Sequence, residues 1–180
     1  MYKNLNGLSA KTNDIFYSYS DSSNVALSQK TSRFWIPFDV KILETLTPKE
    51  YLEKYCRINH RRWIVYKRIF DKYKDNEAQL KVEVLPDALS DAYMGTFDNR
   101  LIGQMIVLLD LPSNSKITFT QFSGIAAFSE RYLFKIFRRP DSKDSQLQKD
   151  ILEILDFSSL EWKLVGVNIS STLRQILTYI

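Results

Sequence analysis

The sequence predicts a mostly α-helical fold, and three observations carry that expectation. Apolar residues recur at helical spacing, as in Leu101, Ile102, Met105, Ile106 and Leu109, the stripe of a helix that buries one face. Thr47-Pro48-Lys49-Glu50 has the chemistry of a helix start. Thr47 caps backbone N–H groups, Pro48 loses nothing at the first position, and Glu50 reaches back. Gly and Pro number only 5 each in 180 residues, too few for the turns of a sandwich and suited to long helices. A content of 44% hydrophobic residues, with 11 Phe and 10 Tyr, supplies a core for one domain and an attached arm.

The elements follow in chain order. Residues 1–32 are rich in Ser and Asn without a sustained period and read as an arm that is disordered alone. Residues 33–43 place Phe34, Ile36, Phe38, Val40 and Ile42 at every second position, an extended pattern. Pro37 restricts it to an edge strand or a lone segment. With Trp35 and Leu43 on its other side, this strip must bury itself against its own domain or a partner. The helix from Thr47 is expected to run to about residue 58, with Cys56 in the core at helical spacing from Leu52. A second helix from Asn59 carries Trp63, Tyr66, Ile69, Phe70 and Tyr73. A third spans 84–93 and ends at Gly95 as a C-cap. Two more flank residues 110–121, the latter carrying Phe122, Ile125, Ala126 and Leu133 and stopped by Arg138-Arg139-Pro140-Asp141. A helix around Leu147, Ile151 and Leu155 precedes the last, where Ser170 or Ser171 caps a face of Leu173, Ile176, Leu177 and Ile180. The chain thus divides into an arm (1–46), a helical domain (47–140) and a C-terminal helical extension (141–180).

Charge narrows the function. The net charge is +4, and from Lys54 to Lys74 eight Lys or Arg residues face the single acid Asp71. If Arg57, Arg61 and Arg68 share a helix, they lie within about 40° of one another and form a basic stripe. Such a stripe suits an acidic protein surface or a phosphate backbone, or is simply a solvated face. Asn59 would break it by capping a new helix. Trp63, Tyr66 and Tyr73 interleave with Arg61, Arg62, Lys67 and Arg68 as nucleobase-stacking residues do. Their helical spacing instead spends the rings on an inner face, so nucleic acid is the lesser reading.

Several classes are disfavoured. The single Cys56 excludes an intramolecular disulfide and a multi-cysteine zinc site. His60, the one histidine, has no ligand or triad partner in sequence, and no glycine-rich phosphate loop exists. No catalytic residue, cofactor or small-molecule substrate is expected. The N-terminus lacks a signal-peptide core, and the run Ile106-Val-Leu-Leu109 is far too short to span a bilayer. A cytoplasmic protein without a membrane role is the simplest account.

One segment adds a resemblance. Asp110-Leu-Pro-Ser-Asn-Ser-Lys-Ile117-Thr-Phe119-Thr-Gln121, between two amphipathic helices, resembles the loop of an EF-hand, with Asp110 first and Ile117 eighth. EF-hands come in pairs, and Leu80, 37 residues upstream, stands where the partner loop's eighth residue would fall. The resemblance implies an EF-hand-like pair of helix-loop-helix units. It also implies a short two-stranded ladder in which Leu80 and Ile117 touch. Calcium in such loops takes side-chain oxygens at positions 1, 3, 5 and 12, with Gly at 6. Asp110, Asn114 and Gln121 match positions 1, 5 and 12 as candidate metal ligands. Pro112 offers nothing at 3, Ser115 replaces the glycine, and Gln121 is a neutral amide. In the first loop Tyr73 and Val84 hold the end positions; a looser frame gathers Asp71, Asp75, Glu77 and Glu83. The expected function is therefore a calcium-independent structural and protein-binding module within a larger assembly. By family analogy that assembly is cytoskeletal or ciliary. In the open form such a pair presents an apolar groove to an amphipathic helix or extended peptide. An acidic protein partner would be held by residues 1–43, with Phe34, Trp35, Ile36 and Phe38, together with Arg57, Arg61 and Arg68. A calcium sensor with an atypical first loop and a basic nucleic-acid adaptor are the alternatives.

Overall fold

In the computed structural model, residues 27–95, 98–137 and 149–180 are described. They form a mostly helical domain with two small antiparallel sheets. A short 3-10 turn, Gln29–Thr31, leads into β1 (Ser32–Phe34). A second 3-10 helix (Val40–Thr45) precedes α1 (Pro48–Lys54), and β2 (Cys56–Ile58) follows. α2 (His60–Tyr73), β3 (Leu80–Lys81), α3 (Leu85–Ala92) and α4 (Asn99–Leu109) come next. β4 (Lys116–Ile117), α5 (Phe119–Phe137), α6 (Ile151–Phe157), α7 (Leu160–Lys163) and α8 (Ser171–Tyr179) complete the order.

Local chemistry sets the helix boundaries. The Thr47 side chain accepts from Glu50 N–H and Glu50 reaches back to Thr47, a complete capping box. Asn59 caps α2 by accepting from Arg62 N–H at 2.9 Å. Gly95 adopts φ +65 and donates to the Ser90 carbonyl beyond the end of α3, the left-handed exit that glycine makes without strain. Ser170 caps α8 through Leu173 N–H.

Three sequence expectations need correction. The strip 33–43 is extended only through Phe34. Asp39 then caps the 3-10 helix Val40–Thr45 by accepting from Lys41 N–H, so the alternation does not continue as a strand. The helix from Thr47 ends at Lys54 rather than near 58, and Cys56 lies in β2, paired with Phe34 of β1. Long-range backbone pairing here outweighs a helical spacing read from a few residues. α6 inverts the expected face. Ile151, Leu152 and Leu155 are exposed while Glu153 is buried, because the inward position meets a buried arginine. Leu147, the stop at 138–141 and residues 1–26 of the arm lie outside the described residues.

The core runs through both halves of the chain. α5 is its axis, buried continuously from Phe122 to Leu133, and α1, α2 and β2 pack along it. Gly124 lets α1 approach closely: a Cβ there would lie 2.4 Å from the Leu52 carbonyl oxygen. α8 closes the other side against α4, α1 and α5, with Leu173 and Ile176 fully buried. Among the described residues no helix is long and apolar enough to cross a membrane.

Candidate functional site

Two loops meet where the short sheet β3–β4 ties α2–α3 to α4–α5. Leu80 stands opposite Ile117 and Lys81 opposite Lys116. Leu80 and Ile117 are both fully buried, as the two inward positions of so short a ladder must be. Val82 N–H extends the pairing to the Ser115 carbonyl at 3.0 Å. In the first loop Asp75 Oδ1 accepts from Glu77 N–H (2.9 Å) and Gln79 N–H (3.0 Å), while Ala78 takes φ +57. The Asp75 side chain therefore orders the turn as an Asx motif.

Lys116 brings a cation to this turn from the opposite loop. Its Nζ lies 2.7 Å from Asp75 Oδ2 and 2.6 Å from Glu77 Oε2. The bond to Lys116, then the Gln79 N–H, hold the Asp75 carboxyl below the usual aspartate range. Asp75 and then Glu77 push the Lys116 ammonium up. A permanently tethered charge thus occupies the space between the two carboxylates.

The residues expected as metal ligands are committed elsewhere or open to solvent. Asp110 ends α4 in the left-handed conformation, φ 48, and is exposed. Asn114 is exposed. Gln121 faces out of the loop: its Oε1 accepts from Thr118 N–H, and its Nε2 donates to Glu53 Oε2 at 3.1 Å. With Thr118 Oγ1 accepting from Gln121 N–H, the pair caps α5, so Gln121 acts as a capping residue rather than a chelating one. Of the looser acid set, Asp71 pairs with Lys67 and Lys74. Among the described residues no three His, Cys, Asp or Glu side chains converge as a metal group.

The expected partner-binding residues divide by exposure. Phe34 is fully buried, with the Arg131 guanidinium 5.8 Å from its ring centre, so the expectation that it contacts a partner is corrected. Pairing with β2 turns its side chain into the core. Trp35 is half-buried, edge-on to Tyr55 at 5.9 Å, and its carbonyl accepts from Tyr51 Oη at 3.0 Å. Ile36 is half-buried and Phe38 wholly exposed. Arg57 lies on β2, while Arg61 and Arg68 lie exposed on α2. The proposed stripe is split by the Asn59 cap. Tyr66 is buried and Trp63 packs edge-on to Phe119 at 5.4 Å, which spends much of the interleaved aromatic surface on packing. Burial also pushes the Cys56 thiol well up, leaving it protonated.

Sequence reasoning missed a buried polar network on α5. Glu130 accepts from Ser28 N–H (3.1 Å), Arg62 Nη2 (2.8 Å) and Tyr66 Oη (3.1 Å). Arg131 Nη2 lies 3.1 Å from Glu153 and donates to the Ser32 carbonyl. Glu153 Oε2 in turn accepts from Phe34 N–H at 3.3 Å. Burial raises the Glu153 carboxyl, with Arg131 opposing that shift. Two adjacent, oppositely charged side chains thereby fasten residues 28–34 and α6 to the core. The available signal was the Glu130-Arg131 pair inside an otherwise apolar or small run. Comparison with protein-family models, curated proteins and solved structures finds no match.

Proposed function

We propose that this chain is a non-catalytic, EF-hand-like structural and protein-binding module whose loops work without calcium. The observation that carries the reading is the Lys116 ammonium between Asp75 and Glu77, beside the Leu80–Ile117 pairing. A calcium-loaded loop gathers carboxylates around an ion; here a side chain of one loop supplies the positive charge and joins the other loop through two ion pairs. The charge is part of the chain, so the loops need no calcium to compensate Asp75 and Glu77.

The mode of partner binding follows from what the chain already covers. An open EF-hand pair offers a groove to an external helix. Here α1 and α8 lie against α4 and α5 and serve as built-in occupants of that apolar surface. A partner would therefore use the outer surface. Phe38, and Ile151, Leu155 and Trp162 of α6 and α7, are large exposed apolar side chains, of the kind that marks interfaces when they group together. Arg57, Arg61 and Arg68 would add attraction for acidic protein surfaces. A cytoplasmic scaffold, cytoskeletal or ciliary, fits this reading. The experiment is a pull-down comparing the full chain with Phe38→Ser/Trp162→Ser and Arg57→Glu/Arg61→Glu/Arg68→Glu variants. Loss of one specific partner in both supports the module; undiminished recovery of every partner refutes it.

A further inference from the structure

The sheet β1–β2 carries a charge arrangement that the fold compensates only in part. Arg33 and Arg57 stand directly opposite each other in its register. Like charges at facing cross-strand positions repel. The Arg57 side chain has no hydrogen bond or ion pair among the described residues. Arg33 Nε makes a long ion pair with Asp150 at 3.9 Å and no hydrogen bond. The two arginines open onto a cleft of about 350 Å³. Four cations line it, Lys30, Arg33, Arg57 and Lys149, against the single acid Asp150, with Lys149 Nζ donating to the Ile180 carbonyl. Asp150 is itself engaged, capping α6 through Leu152 N–H.

Ser32, which also lines the cleft, is only 6% exposed. Its Oγ has no hydrogen-bond partner among the described residues. That hydroxyl shares the inward face of β1 with Phe34, opposite the face that carries Arg33.

We propose that this cleft binds a phosphate monoester, with Arg33 and Arg57 as a two-pronged clamp. A carboxylate brings one charge and would leave the arginine pair half-compensated, whereas a phosphate monoester brings close to two. The planar guanidinium matches phosphate oxygens two at a time. The cleft exceeds a bare phosphate, leaving room for the group it is attached to. That group is either a free phosphorylated small molecule or a phosphorylated side chain of a protein. The inference is independent of the loop pair and of its calcium behaviour.

The test is an amide NMR titration of the full chain with inorganic phosphate and O-phosphoserine, with serine and sodium chloride at matched ionic strength as controls. The phosphorylated probes are expected to shift residues 29–33 and 56–59 saturably, and the controls to leave them in place. Arg33→Gln/Arg57→Gln should weaken O-phosphoserine at least tenfold while circular dichroism stays unchanged. As a second readout, Arg57→Gln should raise the thermal midpoint in phosphate-free, low-salt buffer and abolish the further rise that phosphate gives the parent chain. A short Gly/Ser peptide carrying one phosphoserine separates the sources. Binding at least tenfold tighter than O-phosphoserine assigns a protein ligand, and equal affinity assigns a small molecule. The proposal is overturned if chloride reproduces the shifts. It is also overturned if the double variant keeps its affinity, or if the peptide with Glu in place of phosphoserine binds as tightly.

Discussion

Adding one methyl group to each of two helical glycines should have opposite effects. Gly103 on α4 has nothing within 4 Å of a built Cβ, so Gly103→Ala removes only the entropic cost of glycine. It should stabilise by about 0.5–1 kcal/mol. Gly124 on α5 gains the same propensity, but its Cβ would sit 2.4 Å from Leu52 O and 2.8 Å from Leu52 C. Those atoms are backbone and cannot rotate away. Reaching ordinary contact separation requires α1 to retreat by roughly 1 Å, an overpacking penalty of about 1–3 kcal/mol. Set against the propensity gain, Gly124→Ala should lose about 1–2 kcal/mol, or about 2–8 °C in thermal midpoint for a chain of this length. Urea unfolding followed by circular dichroism should show the two midpoints moving in opposite directions with unchanged slopes. If Gly124→Ala stabilises the protein as much as Gly103→Ala does, the close α1–α5 contact is wrong. The placement of the self-covering helix would then be wrong with it.

Other perturbations separate the elements. Ile117→Asp buries a charge with no partner opposite Leu80 and should cost at least about 3 kcal/mol; a folded variant of near-parent stability would contradict the ladder. Glu153→Ala leaves Arg131 buried and uncompensated, with an expected loss of about 3–5 kcal/mol and faster amide exchange in residues 151–157; unchanged exchange there would deny that Glu153 fastens α6. The Asp75–Lys116 pair has a definite pH window. The depressed Asp75 carboxyl contributes stability above the ordinary aspartate value of about 3.9, lost as pH falls through its lower folded value. The raised Lys116 contributes below about 10.4, lost as pH rises through its higher folded value. Lys116→Met should therefore flatten the acid and alkaline limbs of the stability profile and reduce its salt sensitivity, and an unchanged profile would remove Lys116 from the account.

How much was legible depended on the range of the interaction. The caps at Thr47, Asn59 and Ser170 are written in a few adjacent residues, so those helix starts could be read directly. The Leu80–Ile117 register came from the family resemblance and a spacing rather than from local preference. β1–β2 was not legible: the pairing of residues 32–34 with 56–58 is a long-range choice that overrides a helical spacing at Cys56. Phe34 went wrong for the same reason, since its alternation signalled a strand but not which side would be covered. Glu153 was invisible as a core residue because its partner, Arg131, lies 22 residues earlier and only the tertiary fold brings the two together. Gln121 was read only as a poor ligand at the twelfth loop position, and the capping contacts it makes with Thr118, three residues earlier, were not weighed.

Calcium added to the full chain and followed by amide NMR tests the central claim most directly. With Lys116 supplying the charge at Asp75 and Glu77, and Gln121 held by Thr118 and Glu53, residues 73–84 and 110–121 should show no saturable, site-specific shifts. Saturation of either loop with a dissociation constant below about 10 µM, the range of calcium sensors, would contradict the account.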